Sequence, residues 1–372
     1  MRAEAIRGQD IPVSVICPTF NQEKYIEQAL KGFTAQKTSF RFNVFVGDDC
    51  STDQTASIVK DYSQRYPDIF VPIFRDNNIG GAHNWQDMIT RSSSKYLAFC
   101  DGDDYWTDPH KLQKQFDFME TNPSLRACFH DVEVKIETAD GKWFQAKDFS
   151  NTPDGKILWP SGNRRFIKKD SYRIENYIPF GFVHTSSMFI RWNYSIDFPS
   201  WFYGHGVGDY PMWLLQIGSG RFGYIDEIMS VHRRVSTSTY HFKDRYDFWR
   251  NSKPGWIALD ESLLRYFSNG KFPTSISNAL MLKLKDDLAK MIKGSLEKDP
   301  PEKTWELLVR YQNLIGNLFH IPVLGKYSHI KFKCTLYALK TMAPLPPYKV
   351  NKMAKALRKR NKRSELTYLT MN

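Results

Sequence analysis

Three carboxylates close one short apolar run in this chain. Tyr96-Leu97-Ala98-Phe99-Cys100 leads straight into Asp101-Gly102-Asp103-Asp104, followed by Tyr105 and Trp106. Carboxylates at i and i+2 with a glycine between them can both turn toward one cation, because a residue without Cβ permits the tight backbone. Hard oxygen donors suit Mg²⁺ or Mn²⁺, ions that commonly bridge protein carboxylates to substrate phosphates. The plainer alternative is an acidic turn capping a strand. A second acidic pair, Asp48-Asp49, ends the apolar run at 42–47. A hydroxyl and an amide, Thr19 and Asn21, stand where the run at 11–19 ends. No Gly-x-Gly-x-x-Gly follows the first run, and no Gly-x-x-x-x-Gly-Lys-Ser/Thr occurs. A dinucleotide cradle and a P-loop are therefore not expected. Pyrophosphate charge must be met another way, and a cation on Asp101 and Asp103 is the natural candidate.

The elements that must position these groups alternate. Short apolar runs at 11–19, 42–47, 70–74 and 96–100 read as buried strands. Helical spacing fills the intervals: about 23–36 with Ile26, Ala29, Leu30 and Phe33, then Ser51 to about Tyr66, then His83 to Arg91. Ser51 or Thr52 is the expected N-cap of the second helix. A fourth helix starts near Pro109, a favoured first-turn residue. Four βα units with short loops predict an α/β fold with a mostly parallel, twisted sheet, flanking helices and right-handed crossovers. Thr19 and Asn21, Asp48 and Asp49, and the Asp101–Asp104 turn then share the carboxyl rim, where open α/β sheets bind ligands.

Composition agrees with a folded protein. The 372 residues are 41% hydrophobic and 15% aromatic. No apolar run is long enough to span a membrane, and the first eight residues carry no apolar signal core. Five widely spaced cysteines (Cys17, Cys50, Cys100, Cys128, Cys334) without Cys-x-x-Cys predict reduced thiols and a cytoplasmic location. The charge is uneven. Residues 321–372 hold twelve Lys/Arg and one acid, Glu365, so they carry +11 of the chain's +12.

The ordered motifs resemble family 2 glycosyltransferases. Val13-Ser-Val-Ile-Cys-Pro-Thr-Phe-Asn-Gln-Glu-Lys-Tyr25 is similar to their opening strand and turn. Val46-Gly-Asp-Asp-Cys-Ser-Thr-Asp53 is similar to their second nucleotide-binding motif, and Asn78-Ile79-Gly80 with Asn84 to their third loop. Phe99-Cys-Asp-Gly-Asp-Asp-Tyr-Trp106 matches their Asp-x-Asp motif. The resemblance covers residues 11 to about 120. It implies the GT-A fold, a nucleotide-sugar donor (most often a UDP-sugar) and Mn²⁺ or Mg²⁺. Thr19, Asn21, Asp48 and Asp49 would then contact the nucleoside, with Asn78 and Gly80 in the third loop. Asp101 would lie near ribose or metal, and Asp103 would be the principal metal ligand.

The second half is less patterned. A strand is expected at 127–136, a polar insertion at 138–170 and a further strand at 185–192. Gly204-His-Gly-Val-Gly208 then delivers Asp209 to the start of an apolar helix. By the resemblance, Asp209 holds the place of the base that takes the acceptor hydroxyl's proton in an inverting transfer. The family often has an acid before it, and here Gly208 stands there. The alternative for Asp209 is a helix-start acid. Ser230-Val-His-Arg-Arg-Val235 is similar to the family's late loop, which implies Arg233 or Arg234 facing phosphate and His232 as a further metal ligand.

The predicted organisation is a GT-A glycosyltransferase domain at 1–240, with a nucleotide-binding half at 11–125 and an acceptor half at 126–240. A helical region follows at 241–372, with a basic amphipathic tail at 321–372. Basic and apolar faces together suit a helix lying on anionic lipid. The expectation is an inverting enzyme of bacterial surface-polysaccharide type, working on a glycan or lipid-linked glycan at the inner face of the cell membrane, with no nucleic-acid partner. The rival readings are a non-catalytic nucleotide-sugar binder, which places Asp209 far from the acidic rim, and a nucleotidyltransferase.

Overall fold

A computed structural model describes residues 11–138, 141–146, 169–179, 181–205, 208–235 and 251–299, with single residues between 303 and 314. The basic tail at 321–372, most of the insertion at 138–170 and much of the rest of the helical region at 241–372 lie outside the described residues.

The first half alternates as its apolar runs require. In order it comprises β1 (Val13–Thr19), α1 (Ile26–Thr34), β2 (Phe42–Asp48), α2 (Thr55–Arg65), β3 (Phe70–Phe74), α3 (Gly81–Arg91), β4 (Tyr96–Phe99), β5 (Tyr105–Trp106), α4 (Lys111–Thr121) and β6 (Leu125–Glu137). Then come β7 (Trp143–Ala146), β8 (Ser171–Tyr172), α5 (Ile174–Tyr177), β9 (Phe189–Arg191), α6 (Asp209–Ile217) and β10 (Arg221–Arg234). Helices α7 (Lys253–Phe267) and α8 (Thr274–Lys298) follow. Among the described residues the strands form one sheet in the order β3-β2-β1-β4-β9-β6-β10-β5, with β7 on β6 and β8 on β10.

Strands β1 to β4 of the nucleotide-binding half are parallel to one another. Val13 pairs with Phe42 on one side and Tyr96 on the other, and Val44 with Phe70. Beyond β4 the direction alternates: β9 is antiparallel to both β4 and β6, while β6 and β10 run parallel. The mostly parallel expectation therefore describes the first four strands, and the second half is mixed. The stretch expected as one strand at 185–192 divides into a 3₁₀ turn, Thr185–Ser187, and the short β9.

Helix α1 shows how closely the layers meet. Ile26, Ala29, Leu30, Gly32 and Phe33 form its buried face. A Cβ on Gly32 would stand 3.0 Å from the Trp106 carbonyl, and the Phe33 and Trp106 rings meet edge to face at 4.8 Å. Burying each such aromatic or aliphatic side chain stabilises the fold by about 1.5–3 kcal/mol. The contact fixes β5, which immediately follows the acidic turn. Strand β10 pairs with β5 in turn, Ser230 opposite Trp106 and Val231 opposite Tyr105. Sequence-distant His232 and Arg233 are thereby laid beside the acidic turn.

Two compact units make up the chain: Met1–Arg245 with Ala258–Leu280, and Tyr246–Ile257 with Met281–Asn372. The first contains every strand found among the described residues. In the second, Lys253 and Lys283 both reach Asp287, at 2.7 and 3.1 Å. Among the described residues no helix is long and apolar enough to cross a membrane.

Candidate active site

The turn after β1 is held by side chains from the next loop. Asn21 adopts a positive φ of 51°, a conformation Asn tolerates better than most residues. Its amide N–H donates to Ser51 Oγ at 2.9 Å, and its Oδ1 accepts from the Thr52 N–H at 2.8 Å. Ser51 and Thr52 are thus committed to this turn and do not cap α2. The position before α2 is Gln54, and Asp53 Oδ1 accepts from the Thr55 N–H at 2.9 Å. The capping expectation is corrected accordingly: a hydroxyl 30 residues away in sequence satisfies Asn21 better than it could serve the helix end.

Asp48 and Asp49 are both buried. Asp49 accepts from two consecutive backbone amides, Ile79 N–H at 2.8 Å and Gly80 N–H at 2.9 Å. Asn78 Nδ2 donates to the Asp49 carbonyl at 3.2 Å, and Asn78 Oδ1 accepts from the Gly80 N–H at 3.1 Å. Asp49, Asn78 and Gly80 therefore build one loop, entered at Gly80 with φ 83°. Asp48 Oδ2 accepts from the Ser51 N–H at 3.1 Å, while its buried Oδ1 lacks a hydrogen-bond partner among the described residues.

Gly102 seats the acidic turn against the β1 turn. A Cβ there would lie 2.4 Å from Gln22 Oε1, 2.8 Å from Thr19 Oγ1 and 2.9 Å from Ile26 Cδ1. Thr19 Oγ1 donates to Gln22 Oε1 at 2.8 Å, so both polar atoms are fixed at this seam. The Gly102 N–H donates to the Pro18 carbonyl at 3.0 Å. Only a glycine brings the two loops this close.

The three aspartates that follow have different surroundings. Burial first, then the charges of Asp103, Asp104 and Asp209, push the Asp101 carboxyl well above the usual range. Asp103 is pushed up by burial and by Asp104, against the opposing effect of His232 and Arg233. Asp104 is buried and fully engaged: it accepts from the Arg233 N–H at 2.8 Å and faces His232 Nδ1 at 3.1 Å. Asp104 therefore anchors the end of β10, which fixes the ring of His232 and leaves Nε2 as the nitrogen available to ligate. The His184 ring lies 4.8 Å from that of His232, centroid to centroid.

Arg233 is buried beneath this turn. Its guanidinium donates to the Asp103 carbonyl at 2.9 Å and to Gln28 Oε1, and its Cζ lies 4.3 Å from the Tyr105 ring centroid. It braces the turn's backbone, and the phosphate-facing place expected from the sequence is not where these donors are engaged. Burial lowers the half-buried Arg234 guanidinium to about 10, and the Arg234 charge reaches His184.

Asp209 opens α6. Its Oδ1 accepts from the Tyr210 N–H at 2.7 Å and its Oδ2 from Thr185 Oγ1 at 3.2 Å. Burial raises its pKa, against those hydrogen bonds and the charge of His232. The charge of Asp209 reaches Asp101 and raises its pKa, so the chain brings Asp209 into the neighbourhood of the acidic rim. A non-catalytic binder with Asp209 remote from that rim is not the arrangement found.

Among the described residues no three His, Cys, Asp or Glu side chains already stand in a ligating group. What the site offers a cation is two buried carboxylates, Asp101, whose pKa the Asp103 charge raises, and Asp103, raised by burial and Asp104, with the imidazole of His232 held by Asp104. Mg²⁺ and similar ions are commonly bound through one or two carboxylates plus substrate phosphates rather than a full protein cage. The donor set fits that mode.

An α/β enzyme that receives its substrate at the carboxyl ends of parallel strands is the class these features define. Residues 14–191 match the family model of glycosyl transferase family 2. An uncharacterised protein of Mycobacterium tuberculosis is 33% identical over 328 residues, covering 80% of this chain and 86% of that one. The putative teichuronic acid biosynthesis glycosyltransferase TuaG of Bacillus subtilis is 36% identical over 107 residues, 29% of this chain and 41% of its own length. Among solved structures, Staphylococcus aureus TarS 1–349 superposes with a TM-score of 0.47 at 16% identity, covering 97% of this chain and 92% of that one. The chain belongs to glycosyl transferase family 2, and it is a glycosyltransferase with the GT-A type of α/β architecture.

Three functional positions escaped the sequence reading. Asp104 lay inside the quoted motif, but its role depends on β10, 128 residues away. The sequence pattern places Thr185 at the start of a strand at 185–192 and His184 outside it, and no local signal marks either.

Proposed function

We propose that this enzyme transfers a sugar, with inversion, from a UDP-sugar to a hydroxyl of a glycan or lipid-linked glycan. The observation that carries the reading is the approach of Asp209 to Asp101 at one rim of the sheet. A transferase needs donor and base on opposite sides of one reacting carbon, and the two carboxylates supply two such groups within one electrostatic neighbourhood.

In this reading Asn21, Thr52 and the Asp49-built loop at 78–80 frame the nucleoside. Asp101 and Asp103 would hold Mn²⁺ or Mg²⁺ together with the substrate phosphates, with His232 a further candidate ligand, and the ion would offset the charge of the diphosphate. Arg234 adds cationic field near that charge. Asp209 takes the acceptor's proton as the hydroxyl oxygen attacks the anomeric carbon and the nucleoside diphosphate departs. Asp209 must be ionised to do so. Burial raises its pKa, which strengthens it as a base, while Thr185, Tyr210 N–H and His232 favour the ionised form.

The likeness to a teichuronic acid enzyme supports a surface-glycan acceptor. The basic residues at 321–372 support docking of such an enzyme on anionic lipid, where each Lys or Arg contributes about 1 kcal/mol. In this account the chain is organised as a transferase domain at 1–240 and a helical region at 241–372.

The test is UDP release from UDP-hexoses and UDP-N-acetylhexosamines with polyprenyl-linked glycan as acceptor. Wild type is expected to release UDP in Mn²⁺ and to stop on chelation. Asp209→Asn is expected to bind UDP normally and turn over at least about 100-fold more slowly. Undiminished release by Asp209→Asn would sink the base assignment.

A further inference from the structure

We propose that Thr185 is the positioning residue for the Asp209 carboxylate, its hydroxyl holding Asp209 Oδ2 so that the carboxylate keeps one orientation toward the acidic rim. The inference rests on the reading of Asp209 as base.

Asp209 is the first residue of its helix and follows Gly208, so little of its own segment restrains it. Its two oxygens are held from two places. Oδ1 accepts from the Tyr210 N–H within the helix at 2.7 Å, and Oδ2 accepts from Thr185 Oγ1 at 3.2 Å. Only the second contact ties the carboxylate to another element.

That element is rigid. The Thr185–Ser187 turn is closed by Ser187 N–H to the His184 carbonyl at 2.9 Å and Met188 N–H to the Thr185 carbonyl at 3.1 Å. Trp106 Nε1 donates to the Ser186 carbonyl at 3.1 Å, and Gln115 Nε2 to the Ser187 carbonyl at 2.9 Å. Ser186 and Ser230 hydroxyls meet at 3.0 Å. The turn then enters β9, which pairs Phe189 with Ala98 on the strand that carries the acidic turn. Thr185 therefore stands on a strut fixed to β5, α4, β10 and β4 together. A hydroxyl on this strut registers Asp209 against Asp101 without touching substrate. Threonine suits the task because a β-branched side chain is stiff at χ1.

The hydrogen bond also favours the ionised carboxylate, alongside His232 and against burial. Its loss has a direct spectroscopic reading. The full chain carrying ¹³C-carboxyl aspartate is titrated by NMR without metal, with Asp209→Asn identifying the signal. Thr185→Val, which keeps the shape and removes the hydroxyl, is expected to raise the Asp209 midpoint by about one pH unit. Thr185→Ser is expected to restore it to within a few tenths. A midpoint unchanged in folded Thr185→Val overturns the proposal; if valine prevents folding, Thr185→Ala is read by the same criterion. The titration uses no donor, so it can fail while the base assignment stands. An active Asp209→Asn would remove the base assignment while the hydrogen bond stands.

Discussion

The two sides of the rim are built differently. On the donor side several polar groups are held by backbone from a neighbouring loop: Asp49 by two consecutive amides, Gly102 by the Pro18 carbonyl, Asn21 Oδ1 by the Thr52 amide. On the acceptor side Asp209 is held by the Tyr210 amide of its own helix, and its tie to another element is a hydroxyl from a separate turn. Backbone-held loops are pre-organised before any ligand arrives. A side-chain strut leaves a single point where position can be lost. In the proposed reading the donor side controls binding and Asp209 controls turnover, and the difference separates the two.

The sharpest break of that comparison is Asp209→Asn. Turnover is expected to fall by about 10²–10⁴-fold while UDP affinity stays within about twofold, read by calorimetry and UDP release together. A parallel loss of affinity would merge the two sides.

A smaller effect is expected at the seam. Gly102→Ala puts a methyl within 3.0 Å of Gln22, Thr19 and Ile26. Relief requires the two loops to part, at a cost of about 1–3 kcal/mol. A lower melting temperature with weakened UDP binding is expected. Unchanged binding would show that the seam does not set the donor site.

The third effect is read as a dependence on pH and lies in the core. Lys111 is fully buried, with Nζ 2.7 Å from Gln115 Oε1 and 4.0 Å from the Trp106 ring centroid. Burial lowers its pKa from 10.5 to about 7. Between those values the folded lysine is neutral and the unfolded one takes up a proton. Stability contributed here therefore rises with pH across that window, by up to about 1.4 kcal/mol per pH unit. Urea unfolding of wild type and Lys111→Met from pH 7 to 10 should show that slope in their difference, and parallel profiles would refute it.

The same division explains what could be read without coordinates. Strands β1 to β4 follow from apolar runs, and the donor residues lie within a few positions of each strand's end, so local pattern located them. Gly102, Asp101 and Asp49 are legible because one motif carries both the residue and its setting. Asp104 with His232, Thr185 with Asp209 and Gln28 with Arg233 are pairs 24 to 205 residues apart. No periodicity reports such pairs. Arg233 shows the consequence: its type suggested phosphate, whereas the pairing of β10 with β5 turns it under the acidic turn, among Tyr25, Tyr105 and Trp143. The short β9 was blurred for a related reason, since a 3₁₀ turn and a strand share the run Thr185–Arg191.

The central claim is that the Asp101–Asp104 turn binds a nucleotide diphosphate through a divalent cation. Calorimetric titration of UDP, GDP, dTDP and CMP, with and without Mn²⁺, against wild type and Asp103→Ala tests it most directly. The account predicts Mn²⁺-dependent binding of UDP that Asp103→Ala abolishes. Binding of no nucleotide by the folded wild type, or UDP binding indifferent to both Mn²⁺ and Asp103→Ala, would contradict it.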